Sequence, residues 1–276
     1  MRPRWRLIET APLSGVMNMA LDEVLLHAVQ AGTSPPVVRL YRWQPAAISL
    51  GYAQRGDAQV NHDYCRARGI DIVRRLTGGR AVLHDQEITY AVISRQSGLF
   101  SANILENYRI IAEVFLDCLK AFGLEARLSG RHGGHAQAGA VEQSACFTAP
   151  AQFEIVCAGK KICGSSQKRM QESFLQHGSL PVNMDLDKLF CALNTEAEAS
   201  HEAGVARLAD KVGWINRFRE DPVTIAEVAS QLKNSFVALW PVEFSLDSPS
   251  EAEWEASRHL ARSKYAFVDW HQQEVG

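Results

Sequence analysis

The sequence predicts a mixed α/β fold: a β-sheet flanked by helices, with a short helical appendage at its C-terminal end. Three observations carry this expectation. The middle of the chain holds short apolar segments rich in β-formers and cut by Gly and Pro. Two longer stretches repeat apolar residues at helical spacing. The last part changes character, with capping patterns ahead of apolar stripes.

In chain order, the first helix is expected over 18–31, where Leu21, Val24, Leu25 and Ala28 form one stripe. Strands follow at 37–43, 46–50, 70–76 and 88–93. A second helix is expected over 103–122, with Ile104, Tyr108, Ile111, Phe115, Leu119 and Phe122 on one face. Asn103 with Glu106 has the form of a capping box, and Gly123 stops that helix. The Gly-rich stretch 130–139 is expected to be a surface loop. A strand over 153–158 then turns at Gly159-Lys160 into Lys161-Ile162-Cys163 as a hairpin. Thr224 with Glu227 opens a third helix, and Ser248-Pro249-Ser250-Glu251 a fourth, with Pro249 at its first position. The expected division is a catalytic domain over 1–215 and a helical appendage over 216–276.

Composition narrows the function. Apolar residues make up 46% and charged residues 22%, which excludes global disorder. A formal net charge of -2 argues against nucleic acid as a partner, since that needs a basic surplus. Met1 to Arg6 is basic, but Leu7 and Ile8 run into Glu9, so no signal-peptide core is read there. No apolar run is long enough for a bilayer, so no membrane partner is expected and the location expected is cytoplasmic. The six cysteines, at 65, 118, 146, 157, 163 and 191, lack the paired spacing of zinc sites and are expected as reduced thiols.

Chemistry concentrates in Arg74-Arg75-Leu76-Thr77-Gly78-Gly79-Arg80-Ala81-Val82-Leu83-His84-Asp85. A strand ends in two arginines, then a glycine pair, then a second apolar strand. Paired glycines let the backbone approach a ligand closely and turn amides towards an anion or carbonyl. Taken alone, the glycine pair reads rather as a tight turn with solvated arginines.

The longer string, however, resembles the family of lipoate-protein ligases and octanoyltransferases. The likeness runs from Trp5–Thr10 and Asn18-Met19-Ala20-Leu21-Asp22-Glu23 through Leu40-Tyr41-Arg42-Trp43 and Ile48-Ser49-Leu50-Gly51-Tyr52 to the arginine-glycine block. It continues over Gly159-Lys160-Lys161-Ile162-Cys163-Gly164-Ser165-Ser166-Gln167 and Gln176-His177-Gly178-Ser179-Leu180, in the family's order. The resemblance implies a biotin/lipoate-protein ligase-like catalytic domain. It places Lys161 on the family's invariant lysine, whose ammonium would hydrogen-bond the acyl carbonyl and stabilise developing charge. Lys160 is the bystander on that alignment, not on periodicity. Arg74, Arg75, Gly78, Gly79, Arg80, His84, Gly164 and Ser165 are the substrate-binding positions it implies.

Cys146, in Ser144-Ala145-Cys146-Phe147, resembles the nucleophile of the cysteine-dependent octanoyltransferases. A nearby cation such as Lys161 would favour its thiolate. The implied reaction takes octanoyl from octanoyl-acyl carrier protein onto Cys146. It then passes the chain to a lysine of a lipoyl domain, in an H protein or an E2-type protein. Thioester to amide runs downhill, so this route needs no cofactor.

An ATP-dependent ligase on the same scaffold would hold an acyl-adenylate and Mg²⁺, with Arg74, Arg75 and Arg80 on its phosphate; for the transferase they would serve the pantetheine phosphate. Ligases of the family commonly carry a third glycine where Arg80 stands. A lipoyl amidotransferase using Cys146, and a relative without catalysis, are the further alternatives. His132 and His135 lack companion ligands, so no metal site is expected. His177 with Cys146 matches no protease signature.

Overall fold

The computed structural model describes residues 2–54, 60–129, 154–193 and 200–266. Eleven strands lie among them: β1 (Arg4–Glu9), β2 (Val37–Tyr41), β3 (Ala47–Leu50), β4 (Asp71–Arg74), β5 (Val82–His84), β6 (Glu87–Arg95), β7 (Ala126–Leu128), β8 (Ile155–Cys157), β9 (Lys160–Met170), β10 (Ser173–Pro181) and β11 (Glu243–Asp247). The helices are α1 (Gly15–Ala31), α2 (His62–Arg68), α3 (Ile104–Ala121), α4 (Leu186–Leu193), α5 (His201–Lys211), α6 (Ile225–Leu239) and α7 (Glu251–Leu260). Eight strands form one mixed sheet in the order β11-β1-β2-β6-β10-β9-β8-β7; β4-β3-β5 form a second, smaller one. The mixed α/β class read from the sequence is thus the class observed.

The large sheet is covered on both faces, which explains why its central strands β2, β6 and β10 are buried along almost their whole length rather than at alternate residues. Leu21, Leu25 and Val29 of α1 pack with Ile8, Val37, Ala91 and Ile93 on one side. Ile111, Phe115 and Leu119 of α3, with Val228, Leu232 and Phe236 of α6, pack against Leu40, Tyr90 and Val92 on the other. Each such side chain contributes about 1.5–3 kcal/mol by leaving water. The small sheet is closed by α2, α4 and α5 around Ile48, Leu50, Leu189 and Phe190.

Several helix ends differ from expectation in instructive ways. Asn103 does cap α3, accepting from the amides of Leu105 and Glu106. Glu106, however, accepts from Ser101 Oγ rather than closing the box on Asn103. The hydroxyl two residues upstream of the cap competes successfully for the carboxylate. The Thr224–Glu227 box is complete. The last helix begins two residues later than read: its cap is Ser250, boxed with Glu253, so Pro249 precedes the cap instead of opening the helix.

The C-terminal segment holds more than helices. Strand β11 joins the sheet edge parallel to β1, pairing Trp5 with Phe244. Its sequence, Glu-Phe-Ser-Leu-Asp, is too short and polar for a strand signal, and Leu246 points to solvent at 83% exposure. Trp240 packs edge-on to Trp5, with ring centroids 5.3 Å apart. Arg6 clamps the segment further, reaching Asp247 at 2.6 Å and Glu253 at 2.6 Å. No helix among the described residues is long and apolar enough to cross a membrane.

Candidate active site

The β8–β9 hairpin turns through Ala158 and Gly159, both with positive φ (47° and 77°), the geometry of a two-residue turn that matches strand twist. Lys160 therefore already belongs to β9. Past the turn the register shifts between Val156–Lys161 and Ile155–Cys163, so one extra residue sits in β9. A bulge of this kind re-aims side chains. Lys160 runs outward, donating to the Asp210 carbonyl at 2.9 Å. Lys161 is buried at 5% exposure and pairs with the Glu154 carboxylate. Its backbone is pinned as well: the carbonyl accepts from Gly213 N at 2.7 Å. Gly164 is what makes room, since a Cβ there would lie 3.0 Å from Lys161 Cε.

Facing the hairpin is the turn between β4 and β5. Arg75 spends its guanidinium on this turn. Nη1 donates to Ser49 O (2.6 Å) and Ser49 Oγ (3.1 Å), Nη2 to Gly78 O and Arg80 O (2.8 Å each), and Nε to Thr77 Oγ1 (3.2 Å). Gly79 adopts φ 96°, and its carbonyl comes so close to Gly51 that a Cβ on Gly51 would sit 1.9 Å away. That close approach explains the glycine of the Ser49-Leu50-Gly51 stretch. Arg74 points elsewhere, donating to the carbonyls of Gly51, Tyr52 and Gln54.

Between these walls lies a cavity of about 230 Å³. Pockets for drug-sized ligands run to about 300–1,000 Å³, so this one suits a slimmer occupant. Met19, Tyr41, Trp43 and Val82 give it apolar surface; Lys161, Glu154, Arg75, Arg80, His84, Ser165 and Gly79 supply polar and backbone groups. Of the residues expected from sequence, Lys161, Arg75, Gly79, Arg80, His84, Gly164 and Ser165 share this lining. Arg74 and Gly78 do not. Cys146, His132 and His135 lie outside the described residues.

His84 is fixed between three neighbours. Its ring stacks on Trp43 with centroids 4.1 Å apart. Nε2 lies 2.7 Å from Ser49 Oγ, and Nδ1 lies 2.7 Å from Glu87 Oε1. Because Ser49 Oγ accepts from Arg75, its own proton is available to Nε2, which leaves Nδ1–H to donate to Glu87. Glu87 also accepts from Thr89 Oγ1 and Ser179 Oγ, and Thr89 Oγ1 accepts from Trp43 Nε1 at 2.7 Å. On the opposite side, Ser165 Oγ and Tyr90 OH are 2.7 Å apart.

Beneath the apolar end lies a second buried network that sequence reasoning missed. Arg39, fully buried, donates to Asp22 Oδ1 at 2.6 Å and Asn18 Oδ1 at 2.6 Å, and its guanidinium lies 3.9 Å from the centroid of the Tyr41 ring. Burial alone would raise the Asp22 carboxyl, but Arg39 and His177 hold it below its ordinary range. Burial pushes His177 down against the pull of Asp22, and His177 Nε2 meets Thr77 Oγ1 at 2.6 Å. His177 thus ties the glycine turn to β10. The signal was present in the Asn18, Asp22 and His177 of the quoted stretches, but contacts seventeen to a hundred or more residues apart have no periodicity to betray them.

The described cysteines differ from a nucleophile's setting. Burial pushes the Cys65 thiol up to about 11 and the Cys118 and Cys163 thiols up to about 12. Cys157 and Cys191 are raised for the same reason. Such thiols are poor sources of thiolate.

Fold and site together define a mixed α/β enzyme scaffold in which a buried cation faces a narrow, partly apolar chamber. The model of the lipoyl protein ligase A/B catalytic domain matches residues 14–237, and the chain belongs to that family. The octanoyltransferase LipM of Brevibacillus brevis is 35% identical over 270 residues, covering 97% of this chain and 98% of that protein. The octanoyltransferase LipM of Bacillus subtilis is 36% identical over 269 residues, covering 96% and 97%. Among solved structures, the bipartite lipoate protein ligase of Thermoplasma acidophilum, studied with its E2 lipoyl domain, superposes with a TM-score of 0.79 at 26% identity, covering all of both chains. A lipoate-protein ligase A bound with ATP gives a TM-score of 0.76 at 27% identity over 98% of each chain.

Proposed function

We propose that this chain is an octanoyltransferase of protein lipoylation, moving octanoyl from acyl carrier protein to a lysine of a lipoyl domain through a thioester on Cys146. One observation carries the reading: the Lys161 ammonium is buried in the wall of a slim cavity, opposite a glycine turn whose backbone is locked in place. Full-length likeness to octanoyltransferases supports the reaction, and likeness to a ligase studied with a lipoyl domain supports the acceptor.

In this scheme the acyl chain lies along Met19, Tyr41, Trp43 and Val82, with its carbonyl oxygen towards Lys161. The Cys146 thiolate attacks the thioester carbon, Lys161 stabilises the oxyanion, and the carrier thiolate departs. The acceptor lysine, as free amine, then attacks the acyl-enzyme; the C–N bond forms, the C–S bond breaks, the Cys146 sulfur leaves as thiolate, and the proton lost by the amine is taken up by the released carrier thiolate. Gly164 and Ser165 line the carbonyl end, and Arg80, half-buried in the lining, supplies charge for the pantetheine phosphate. Arg75 and His84 hold the wall. Raised thiols at five other cysteines support Cys146 as the nucleophile. No cofactor enters this scheme.

The ATP-bound relative keeps a second reading worth separating: a ligase that forms an acyl-adenylate with Mg²⁺. The assay is direct. Apo lipoyl domain is incubated with the enzyme and either octanoyl-acyl carrier protein without ATP, or free lipoate with Mg-ATP. Octanoylation in the first arm, lost in Cys146→Ser, is expected. Modification only in the second arm, indifferent to Cys146→Ser, overturns the transferase reading.

A further inference from the structure

An enzyme that makes amides from thioesters and lysines has a problem if it also keeps a lysine beside the thioester. A free amine at Lys161 would attack the bound acyl group itself. The C–N bond would form and the C–S bond break; sulfur would leave with the electron pair and take up the amine's proton as thiol. The product, an octanoyl amide on Lys161, would be permanent. Protonated, the same nitrogen has no lone pair to attack with, and is at its best as a partner for the carbonyl oxygen.

The residue that decides between these states is Glu154. Its carboxylate contacts Lys161 Nζ directly, and both side chains are more than nine-tenths buried. Burying a lone ammonium is costly, whereas burying it against a carboxylate in contact is not. Both partners are anchored through their backbones. Ser129 N donates to the Glu154 carbonyl at 2.7 Å, and Glu154 N donates to Ser129 Oγ at 3.2 Å. Lys161 is held by the bulged hairpin and by Gly213 N. Glu154 also lines the cavity. The carboxylate therefore stands at the site and is fixed there.

We infer that Glu154 is a positioning residue that keeps Lys161 an ammonium during turnover and so protects the enzyme from acylating itself. This rests on the reading that Lys161 meets the acyl carbonyl, and no assignment from the family resemblance includes Glu154. The carboxylate need not touch substrate; it acts through Lys161.

The test uses the full-length enzyme with octanoyl-acyl carrier protein and apo lipoyl domain, comparing wild type with E154Q, E154D, K161M and the E154Q/K161M double variant. After turnover, each protein is treated with hydroxylamine, which removes thioesters and leaves amides, and is then mapped by mass spectrometry. Wild type is expected to carry no hydroxylamine-stable octanoyl group. E154Q is expected to lose at least tenfold in initial rate and to accumulate one stable octanoyl group on Lys161, faster at higher pH, losing activity as it does so. E154D, whose shorter arm loosens the pair but keeps its charge, is expected to show less adduct and more activity than E154Q. In the K161M background, E154Q should change nothing further.

E154Q within twofold of wild type with no adduct on Lys161 overturns the inference. So does a stable adduct spread over other lysines. Should E154Q fail to fold, E154A takes its place, and absence of any Lys161 adduct there overturns the inference equally. Full activity in K161M is a different failure, because it removes the underlying role of Lys161 whatever Glu154 does.

Discussion

Two buried cations face the same cavity, and they are used in opposite ways. Arg75 directs its planar fork at the carbonyls of residues 49, 78 and 80 and at two hydroxyls, all of them uncharged acceptors. Lys161 meets a carboxylate. Arg75 is bonded like a rivet: its hydrogen bonds hold the backbone of the glycine turn from within. Lys161 is held by the Glu154 carboxylate and by backbone contacts behind it, an arrangement that fixes a cation's place while leaving it suited to a transient negative charge. Of two neighbouring motif positions with the same sign of charge, one is spent on architecture and the other kept for chemistry. Guanidinium suits the first task, because its donors spread in a plane; ammonium suits the second, because it is a compact charge.

That contrast can be broken most forcefully at Lys161. Lys161→Met should lower octanoyl transfer by about 10²–10³-fold, the effect of losing one oxyanion donor, measured as kcat with saturating octanoyl-acyl carrier protein. Activity within threefold of wild type would move the chemistry elsewhere. Arg75→Met should act on stability instead. Stranding several buried carbonyls costs about 3 kcal/mol, visible as a drop of roughly 5–10 °C in Tm. A variant with unchanged Tm but lost activity would make Arg75 a ligand group after all.

Smaller effects sharpen the picture. Gly164→Ala puts a methyl about 3.0 Å from Lys161 Cε, so the lysine must shift by a few tenths of an ångström. We expect about a tenfold loss in kcat with stability changed by less than about 1.5 kcal/mol. A loss in Tm without a loss in kcat would show that the hairpin, not the lysine, gives way. Below this comes a pH effect. His177 lies under its ordinary value of about 6.5, so between the lowered value and 6.5 the unfolded chain binds more protons than the folded one. Its contribution is complete above pH 6.5 and is lost as the pH falls further. Tm measured from pH 8 to pH 5 should decline in wild type and decline less in His177→Gln; parallel curves would remove His177 from the account. Smallest of all, Leu246→Ser on the exposed edge strand should stay within about 0.5 kcal/mol in thermal unfolding.

How much of this was legible beforehand follows from the range of each interaction. The Thr224 cap and the middle of the α3 stripe, Ile111, Phe115 and Leu119, are local patterns and appear where the sequence places them, whereas Ile104 at the start of that stripe is exposed. The hairpin before Lys161 was visible in Gly159, but its tip is Ala158-Gly159 and the bulge behind it has no sequence mark. The bulge is why alternation could not separate Lys160 from Lys161, and why family resemblance had to do so. Glu154 went unread because a single acid inside the expected strand 153–158 fits no pattern; its partner lies seven residues on, diagonally across a shifted ladder. Asp22 and Arg39 sat in or beside recognised stretches, yet their contact joins a helix to a strand. Strand β11 went unread because Glu243–Asp247 has one buried-side residue to offer and depends on β1 for its existence.

The claim that Lys161 contacts the reacting carbonyl is tested most directly by a crystal structure with a ketone analogue of octanoyl-phosphopantetheine, in which CH₂ replaces the thioester sulfur. The analogue's carbonyl oxygen should lie about 2.7–3.1 Å from Lys161 Nζ, with Glu154 still in contact on the other side of that nitrogen. A carbonyl seated instead against the Gly78-Gly79 turn, with Lys161 and Glu154 undisturbed and out of reach, would contradict the account.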